Sequence, residues 1–274
     1  MTPYFAVQFF IFLLVVVAIY LWWRKRPTND ANWSLDQKIL AYADFDNNNA
    51  IGKVTVHNIR NITYRSETDY TPAYYDKTFD ISKINSVDFV FVPYSKFKSL
   101  AHTFLTFGFE DGSHIAISVE IRKKVGQNFS ALKSLFKQYE LTYVVADEND
   151  VIKLRTNYRH EPVYLYPVKA TKEQITKMFL SMLKRVNSFK EKPEFYSLFN
   201  NTCTTNIARH INEITQKKFF SFKVLLPGYS ERLAYELRMI NTNLSFEEMH
   251  AKFYINDKAM SNPEPTNFSE KIRL

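Results

Sequence analysis

The residues from Phe5 to Trp23 form one almost wholly apolar run, in which Gln8 is the one strongly polar side chain. About 20 such residues make a helix long enough to cross a bilayer. Tyr20 and Trp22, near the end of the run, are typical of the interfacial belt where a transmembrane helix leaves the lipid. The run therefore predicts an N-terminal transmembrane helix, and the rest of the chain has to fold beside the membrane.

The charges around this run indicate an uncleaved anchor. A cleaved signal peptide places basic residues before the apolar run and small residues after it. Here nothing basic precedes the run, and Arg24-Lys25-Arg26 follows it. By the positive-inside rule this cluster would place the following domain in the cytoplasm. Residues 1–30 are predicted to be the anchor and a polar linker, and residues 31–274 one folded domain.

Composition narrows the class of that domain. Hydrophobic residues make up 46% of the chain, with 24 Phe and 17 Tyr, which is ample for a core and excludes global disorder. Five glycines, with no glycine-rich phosphate-binding fingerprint among them, argue against a nucleotide site. A single cysteine excludes an internal disulfide and any multi-cysteine metal site. We therefore expect neither a cofactor nor a metal.

The formal net charge of +8 points to an anionic partner. No helix-turn-helix, zinc-finger or aromatic-basic RNA pattern accompanies the charge. Beside a membrane anchor, lipid headgroups are the expected counter-charge, and no nucleic acid partner is expected.

The periodicity predicts strands first and helices mostly afterwards, which is typical of one α+β domain. The predicted strands are Val87–Tyr94, Leu100–Phe109, Ser113–Glu120, Leu141–Ala146 and Pro162–Val168. The predicted helical segments are Leu132–Tyr139, Glu148–Asn157, one starting at Thr171, one starting near Cys203, Glu231–Met239 and Phe246–Phe253. The last fifteen residues are polar and are expected to be loose.

The helix that starts at Thr171 carries the clearest pattern. Thr171 and Gln174 match a capping box. Apolar residues then recur without a miss at the spacing of one helix face, namely Ile175, Met178, Phe179, Met182, Leu183 and Val186. Such a stripe is typical of core packing, so we assign it no chemistry.

The lone cysteine, Cys203, lies where a polar run becomes a helical pattern. Asn201 and Thr202 are both suitable N-caps, and Ile207 and Ile211 continue an apolar face from Cys203. A thiol in the first turn of a helix meets unpaired N–H groups and the positive end of the helix dipole, and both favour the nucleophilic thiolate. The alternative is that this cysteine is a small buried hydrophobe.

A cysteine nucleophile needs a base, and the histidines give two candidates. His210 lies two helical turns from Cys203, about 10 Å away, and the contexts of the other three resemble loops or termini. His102 and His114 lie on the two arms of the hairpin around Asp111-Gly112. A three-residue hairpin loop would place His102 on the same face as His114 and Glu120, whereas a two-residue loop would not. The residues alone leave this choice open.

The segment from Arg65 to Asp80 is dense in charge and tyrosine and has no periodic apolar set. It is predicted to be an ordered loop packed over the domain. Long ordered loops are often functional, but a structural role is an equal alternative.

Several ordered segments resemble one known family, the Lnb N-terminal periplasmic domain. They are Asn58-Ile59-Arg60-Asn61, Tyr64 to Pro72, Ala101-His102-Thr103-Phe104-Leu105, Ser118-Val119-Glu120-Ile121-Arg122, Gln138 to Leu141, Leu154-Arg155-Thr156-Asn157 and Asn200 to Asn206. The resemblance spans about Trp33 to Leu244. It implies a papain-like fold of the circularly permuted NlpC/P60-like type, with an antiparallel sheet and packed helices.

The resemblance also implies roles for individual residues. Cys203 matches the family's cysteine, His102 the histidine of its H-T-F-L motif, and Glu120 the acid of its S-V-E-x-R motif. His114 stays an alternative third catalytic member, because lecithin-retinol-acyltransferase-like relatives carry a second histidine. Supporting residues around the oxyanion would be Asn201, Thr204 and Asn206. A substrate loop would contain Arg65, Glu67, Asp69, Arg155 and Asn157.

The function implied by the resemblance is a membrane-anchored thiol acyltransferase. It would move an acyl chain from a membrane phospholipid, through a Cys203 thioester, to an amine such as a lipoprotein N-terminus. The alternatives are a cysteine peptidase or amidase of the cell envelope and a non-catalytic envelope interaction module. The family name implies a periplasmic domain on a single-pass anchor in the bacterial inner membrane, against the positive-inside rule, and we follow the family.

Overall fold

The structure is a computed structural model that describes residues 3–46, 52–95, 97–128, 130, 133–135, 137–215, 221–262 and 267–274. The strands are β1 (Tyr42–Phe45), β2 (Lys53–Arg60), β3 (Thr63–Tyr64), β4 (Tyr70–Thr71), β5 (Tyr74–Asp80), β6 (Ile84–Pro93), β7 (Ala101–Phe109), β8 (His114–Arg122), β9 (Glu140–Ala146) and β10 (Tyr164–Pro167). The helices are α1 (Pro3–Arg24), α2 (Glu148–Lys153), α3 (Lys172–Glu191), α4 (Cys203–Thr215), α5 (Phe222–Leu225), α6 (Ser230–Glu236), α7 (Phe246–Lys252), α8 (Asn256–Ser261) and α9 (Phe268–Lys271).

The centre of the domain is a mixed sheet of eight strands within the described part of the chain. Their order is β1-β2-β9-β8-β7-β6-β10, and β5 pairs with β2. Neighbours are antiparallel except β2 and β9, which meet in parallel at Arg60 and Ala146. β3 and β4 form a separate two-stranded ribbon. The predicted α+β class with packed helices is confirmed, and the sheet is mixed because of this parallel contact.

The predicted transmembrane segment is helical as α1, and its side chains from residue 7 to residue 17 are exposed. Several other side chains of this helix lie outside the described part. Within the described residues, no helix combines the length and the apolar character needed to cross a membrane. The anchor therefore stays a prediction.

One face of the sheet packs against α3 and α4 and holds the larger core. Thr171 caps α3 and Gln174 returns the hydrogen bond, so the predicted capping box is confirmed. The predicted stripe is also confirmed, because Phe179, Met182 and Leu183 are fully buried in this core. The strand positions that face them have odd numbers, for example Phe107, Ile117 and Val145.

The other face of the sheet is covered by α2 and the C-terminal helices. Phe104 and Ala116 pack there with Phe268 and Ile272. Phe268 and Ile272 are almost fully buried. The expectation of a loose C-terminus is therefore wrong for residues 267–274, because two apolar side chains in a largely polar segment supply the contacts. Residues 263–266 lie outside the described part.

The predicted helix at Leu132 to Tyr139 is only partly described. Lys133–Leu135 forms a single 3-10 turn, and residues 131, 132 and 136 lie outside the described residues. The predicted helix from Glu148 is confirmed as α2, which continues as a π-helical turn from Leu154 to Tyr158.

The hairpin between β7 and β8 decides which histidine faces Glu120. The N–H of Phe109 donates to the carbonyl of Ser113, which leaves a three-residue loop, Glu110 to Gly112. Gly112 takes a φ of 78° there, a conformation that glycine adopts without strain. The register pairs Phe104 with Ser118, so His102 lies beside Glu120 on the even-numbered face.

Candidate active site

The first turn of α4 is fixed by two threonines. The backbone N–H of Thr205 donates to the hydroxyl of Thr202 at 3.2 Å, and the hydroxyl of Thr205 accepts from the N–H of Thr202 at 2.7 Å. Thr202 is therefore the N-cap, as predicted, and Cys203 is the first residue of the helix. Asn201 does not cap it, because its side-chain oxygen accepts from the amide of Asn206 at 2.9 Å.

Cys203 is buried against the beginning of β7. Its Sγ lies 3.9 Å from the carbonyl oxygen of Ala101 and 3.8 Å from the hydroxyl of Thr204. Thr204 shares a hydrogen bond of 3.0 Å with Thr103. This pair of threonines fixes the helix start to the odd-numbered face of the strand.

His102 lies between Ala101 and Thr103, so its side chain points to the opposite face. There its Nε2 lies 2.8 Å from the hydroxyl of Ser118, which donates to Oε1 of Glu120 at 3.0 Å. Because the serine proton goes to Glu120, the serine oxygen accepts from Nε2–H of His102. Nδ1 of His102 then carries a lone pair that can accept a proton. It has no hydrogen-bond partner among the described residues.

The surroundings of His102 keep it uncharged. Burial, followed by the positive charge of Arg155, lowers the pKa of His102 to about 3, although Glu120 opposes both. Nε2 of His102 lies 3.8 Å from Oε1 of Glu120. The imidazole is therefore neutral at neutral pH, although a pKa this low makes it a weak base in the free protein, since a general base works best with a pKa near the operating pH.

Glu120 stays ionised despite its burial. Burial alone would raise its pKa, but the charges of Arg155 and Arg60 more than offset this and hold the pKa well below its usual range. Arg155 donates to Oε1 of Glu120 at 3.0 Å, and Gln37 donates to Oε2 at 3.3 Å. The carboxylate therefore orients His102 through Ser118. Its negative charge would also stabilise the imidazole when the imidazole is protonated.

Cys203 and His102 both line a cavity of about 180 Å³. The cavity reaches around the start of β7, since Leu100, Ala101 and His102 all line it. No hydrogen bond joins Sγ of Cys203 to the imidazole of His102 in this structure, although both side chains belong to its described part. The structure therefore places the predicted pair in one cavity without direct contact.

Other predicted site residues lie elsewhere or are held by structural contacts. Nδ1 of His114 lies 3.0 Å from the carbonyl of Gly112, at the far end of β8, roughly 20 Å of strand away from the position beside His102. Asn206 donates its amide to Asn201 and to the carbonyl of Thr202, and it accepts from Tyr143. His114 is thus not brought to the pair, because the strand runs away from it, and the amides of Asn201 and Asn206 are occupied.

The predicted substrate loop is ordered, and only part of it reaches the cavity. Arg65 pairs with Asp69 at 2.5 Å on the exposed surface. Asn157 donates to the carbonyl of Ala259 at 3.3 Å. Arg155 lines the cavity, and Glu67 lies 3.2 Å from Arg159, which also lines it.

Sequence reasoning missed several residues around the pair. Ser118 and Arg60 lie inside the segments that carry the family resemblance, so that signal was present. Burial of the hydroxyl, and then the nearby Cys203, raise the pKa of Tyr94 to about 12, although 36% of the residue is exposed. Burial and Cys203 raise the pKa of Tyr196 as well. Nothing in the local sequence of these two tyrosines indicates that they meet at the cavity.

A second, apolar cavity of about 350 Å³ lies on the other side of the α4 start. The sheet and the helices α3, α4 and α6 line it, with residues such as Leu105, Met178, Ile207, Ile211, Leu233 and Ile240. Thr204 lines this cavity and its neighbour Cys203 lines the polar one. The first turn of α4 therefore stands between an apolar space and a polar one.

The described residues contain no group of three or more His, Cys, Asp and Glu side chains that is arranged to hold a metal ion. The predicted absence of a cofactor stays a prediction.

Comparison with known sequences gives one match. The profile of the Lnb N-terminal periplasmic domain family matches residues 70–228, more than half of the 274 residues. A search of curated proteins finds no match to the chain, and a search of solved structures finds none. The matched stretch contains Cys203, His102 and Glu120. The chain therefore belongs to the Lnb N-terminal periplasmic domain family and is an Lnb-like protein of the cell envelope.

Proposed function

We propose that the protein is a papain-like thiol acyltransferase in which Cys203 is the nucleophile. The observation that supports the proposal is the shared cavity, which is lined both by a thiol at a capped helix start and by a histidine held neutral. A thiol, a base and an acid that orients the base are the parts that nucleophilic catalysis requires.

The start of α4 supplies donors for the charge that develops in the reaction. The N–H of Thr205 is used by the cap, whereas the N–H groups of Cys203 and Thr204 have no partner within the described residues. The first N–H groups of a helix point outwards and carry the positive end of its dipole. These two groups, in place of the amides of Asn201 and Asn206, would hold the oxyanion of a tetrahedral intermediate.

The proposed reaction has two halves. Nδ1 of His102 accepts the proton of Cys203, and the thiolate attacks the carbonyl carbon of an acyl ester. The intermediate collapses as the ester C–O bond breaks, and His102 returns the proton to the departing alcohol. An amine then attacks the resulting thioester, which forms an amide and restores the thiol. Because the thiol and imidazole are not hydrogen-bonded in the free protein, the bound substrate has to draw them together, as often happens in such sites.

The apolar cavity beside Thr204 favours an acyl substrate over a peptide. Its size falls in the range of small-molecule sites, which are mostly apolar with few polar groups. An acyl chain there would place its ester carbonyl near the start of α4. The proposed donor is a membrane phospholipid, and the proposed acceptor is an amine such as a lipoprotein N-terminus.

An acyl-trapping experiment tests this proposal. Wild type and a Cys203→Ser variant are incubated with a radiolabelled phospholipid and then with an amine-bearing lipopeptide. We expect a hydroxylamine-sensitive acyl adduct on the wild type alone, followed by transfer of the label to the peptide. If free fatty acid were the sole product, the protein would be a hydrolase and the acyltransferase proposal would be wrong. No adduct and no turnover would favour the non-catalytic interaction module.

We further propose that α1 anchors the domain to the inner membrane with the domain in the periplasm. A Cys203→Ser, Asp111→Cys double variant places one thiol in the exposed β7–β8 loop. A membrane-impermeant maleimide should label it in cells whose outer membrane has been permeabilised. Protection from the reagent until the inner membrane is lysed would contradict the periplasmic location.

A further inference from the structure

The polar cavity carries more charge than the proposed chemistry uses. Its cationic lining residues are Arg60, Lys123, Arg155 and Arg159, and its acidic ones are Asp36, Glu120 and Glu161. The proposed reaction assigns Glu120 and, through it, Arg155. That reaction leaves the remaining cationic side chains without a role, and a bound anion is the kind of ligand that they would contact.

Two of the arginines are held by the protein itself. Arg60 donates from Nε and Nη2 to both oxygens of Asp150 at 2.9 Å, and both side chains are buried. Arg155 donates to Glu120 and to the carbonyl of Val151, at 3.0 and 2.6 Å. Few of their N–H donors are therefore free to bind a ligand.

Arg159 differs from both. Its Nε is buried and has no hydrogen-bond partner in the described part of the chain. Glu67 comes within 3.2 Å of that nitrogen without the alignment of a hydrogen bond. Neither terminal nitrogen of this guanidinium donates to a side chain among the described residues. Because 58% of the Glu67 side chain is exposed, the ion pair is weak.

The position of Arg159 suits an anion bound next to the reacting groups. Its side chain is 24% exposed, and it lines the same cavity as Cys203 and His102. Its charge is close enough to lower the pKa of His102. A guanidinium presents parallel N–H donors that match two oxygens of a phosphate.

We infer that Arg159 binds the phosphodiester of the acyl donor and that Glu67 occupies the guanidinium while no donor is bound. This assignment of the donor rests on the proposed function. It makes the candidate site selective for an anionic phosphate ester over a neutral glyceride. It also gives the Arg65–Asp69 turn a role, since that turn carries Glu67.

A binding measurement tests the inference without any turnover. The full chain with Cys203→Ala, in detergent, is titrated with three probes. Dihexanoyl phosphatidylglycerol has acyl chains and a phosphodiester, dihexanoylglycerol has the chains alone, and glycerophosphoglycerol has the phosphodiester alone. We expect the phospholipid to bind most tightly of the three. Equal affinity for the phospholipid and glycerophosphoglycerol would assign the site to soluble phosphate esters and overturn the lipid assignment.

Two variants then change the affinity in opposite directions. Arg159→Gln should weaken phospholipid binding about tenfold, as expected for the loss of one charged hydrogen bond, and should leave dihexanoylglycerol binding unchanged. Glu67→Gln should strengthen phospholipid binding, because the competing carboxylate is removed. A merely structural role of Arg159 would not produce this gain.

The matched control is Arg232→Gln, which removes the same charge from an exposed arginine that lies 3.9 Å from Glu247 and does not line the cavity. Equal weakening by Arg159→Gln and Arg232→Gln would overturn the inference, because net charge alone would explain it. If the variants behave as expected while no acyl adduct forms on the wild type, the anion site stands and the acyltransferase proposal fails.

Discussion

Two buried charge clusters lie on the same face of the sheet and have different surroundings. The site network consists of His102, Ser118, Glu120 and Arg155. The tail clamp consists of Asp88, Thr106, Glu148 and Arg273. In the tail clamp, Arg273 donates to Asp88 at 2.7 Å and to Glu148 at 2.6 Å, and Thr106 donates to Glu148 at 2.5 Å. Both clusters pair an arginine with buried carboxylates.

The two clusters differ in whether they face a cavity with a group that has no hydrogen-bond partner among the described residues. No member of the tail clamp lines either of the two cavities described above. Burial would raise the pKa of Glu148, but Arg273 offsets this and lowers it to about 2. The site network opens on a cavity and leaves Nδ1 of His102 without a partner. Buried charge alone therefore does not distinguish the two clusters, whereas an unpaired group in a residue that lines a cavity does.

The largest expected effect breaks the tail clamp. Arg273→Met leaves Asp88 and Glu148 buried without a cation, which should reduce the free energy of unfolding by about 3–5 kcal/mol. Urea denaturation measures this loss. Thioester formation per folded molecule should stay at the wild-type level. A drop in the activity of the folded fraction would remove the distinction between the two clusters.

The corresponding change in the site network is Arg155→Gln. We expect thioester formation to fall about a hundredfold, the size expected when a catalytic group is misplaced. Because the charge of Arg155 lowers the pKa of His102, that pKa should rise in the variant. NMR titration of the His102 ring measures it. An unchanged pKa together with lost activity would mean that Arg155 acts on the fold alone.

The pH dependence of stability distinguishes His102 from the carboxylates of both clusters. His102 has a folded pKa of about 3, below its usual 6.5, so the unfolded chain binds the extra proton between these values. Its contribution is complete above pH 6.5 and is lost as the pH falls towards 3, with a slope of at most about 1.4 kcal/mol per pH unit. Glu148 begins to lose its contribution only below its usual pKa of 4.5.

A His102→Gln variant isolates this contribution. Burial lowers the pKa of His210 to about 4, so His210 also makes the protein less stable as the pH falls. The quantity to measure is therefore the difference in the free energy of unfolding between wild type and variant. Urea denaturation between pH 6.5 and 4.5 should give a smaller slope for the variant. Identical slopes would show that His102 is not held neutral.

The smallest expected effect compares two helix caps. Thr202→Ala and Thr171→Ala should each cost about 1 kcal/mol of stability, since each removes a side-chain cap. Thr202→Ala alone should also slow thioester formation, because it loosens the turn that carries Cys203. Equal rates of thioester formation in the two variants would show that the Thr202 cap does not affect the proposed reaction.

The features that were predictable from sequence depend on local interactions. The capping box and stripe of α3 follow from residues within a few turns of each other. The position of Cys203 at a helix start follows from Thr202 next to it. The face of His102 needed one fact that sequence did not give, the length of the hairpin loop, and that length places His102 beside Glu120.

The features that were not predictable depend on contacts between distant residues. Arg273 meets Asp88 across 185 positions, so no local pattern distinguishes the ordered C-terminus from a loose one. The separation of His102 from Cys203 by the thickness of β7 depends on how α4 packs. His114 resembled His102 in sequence, and only the direction of the strand sets it apart.

The burial of Cys203 and the neutrality of His102 together have a consequence for oxidation. Burial shields the sulfur of Cys203, a neutral imidazole brings no positive charge to it, and the susceptibility of a thiol to peroxide follows exposure as well as thiolate character. Cell-envelope proteins work where such oxidants occur, and this chain has no second cysteine to rescue the first. We expect the free protein to react slowly with peroxide and iodoacetamide, with mass spectrometry of Cys203 as the measure. Resistance that disappears when a phospholipid analogue is added would show that the substrate itself switches on the thiol.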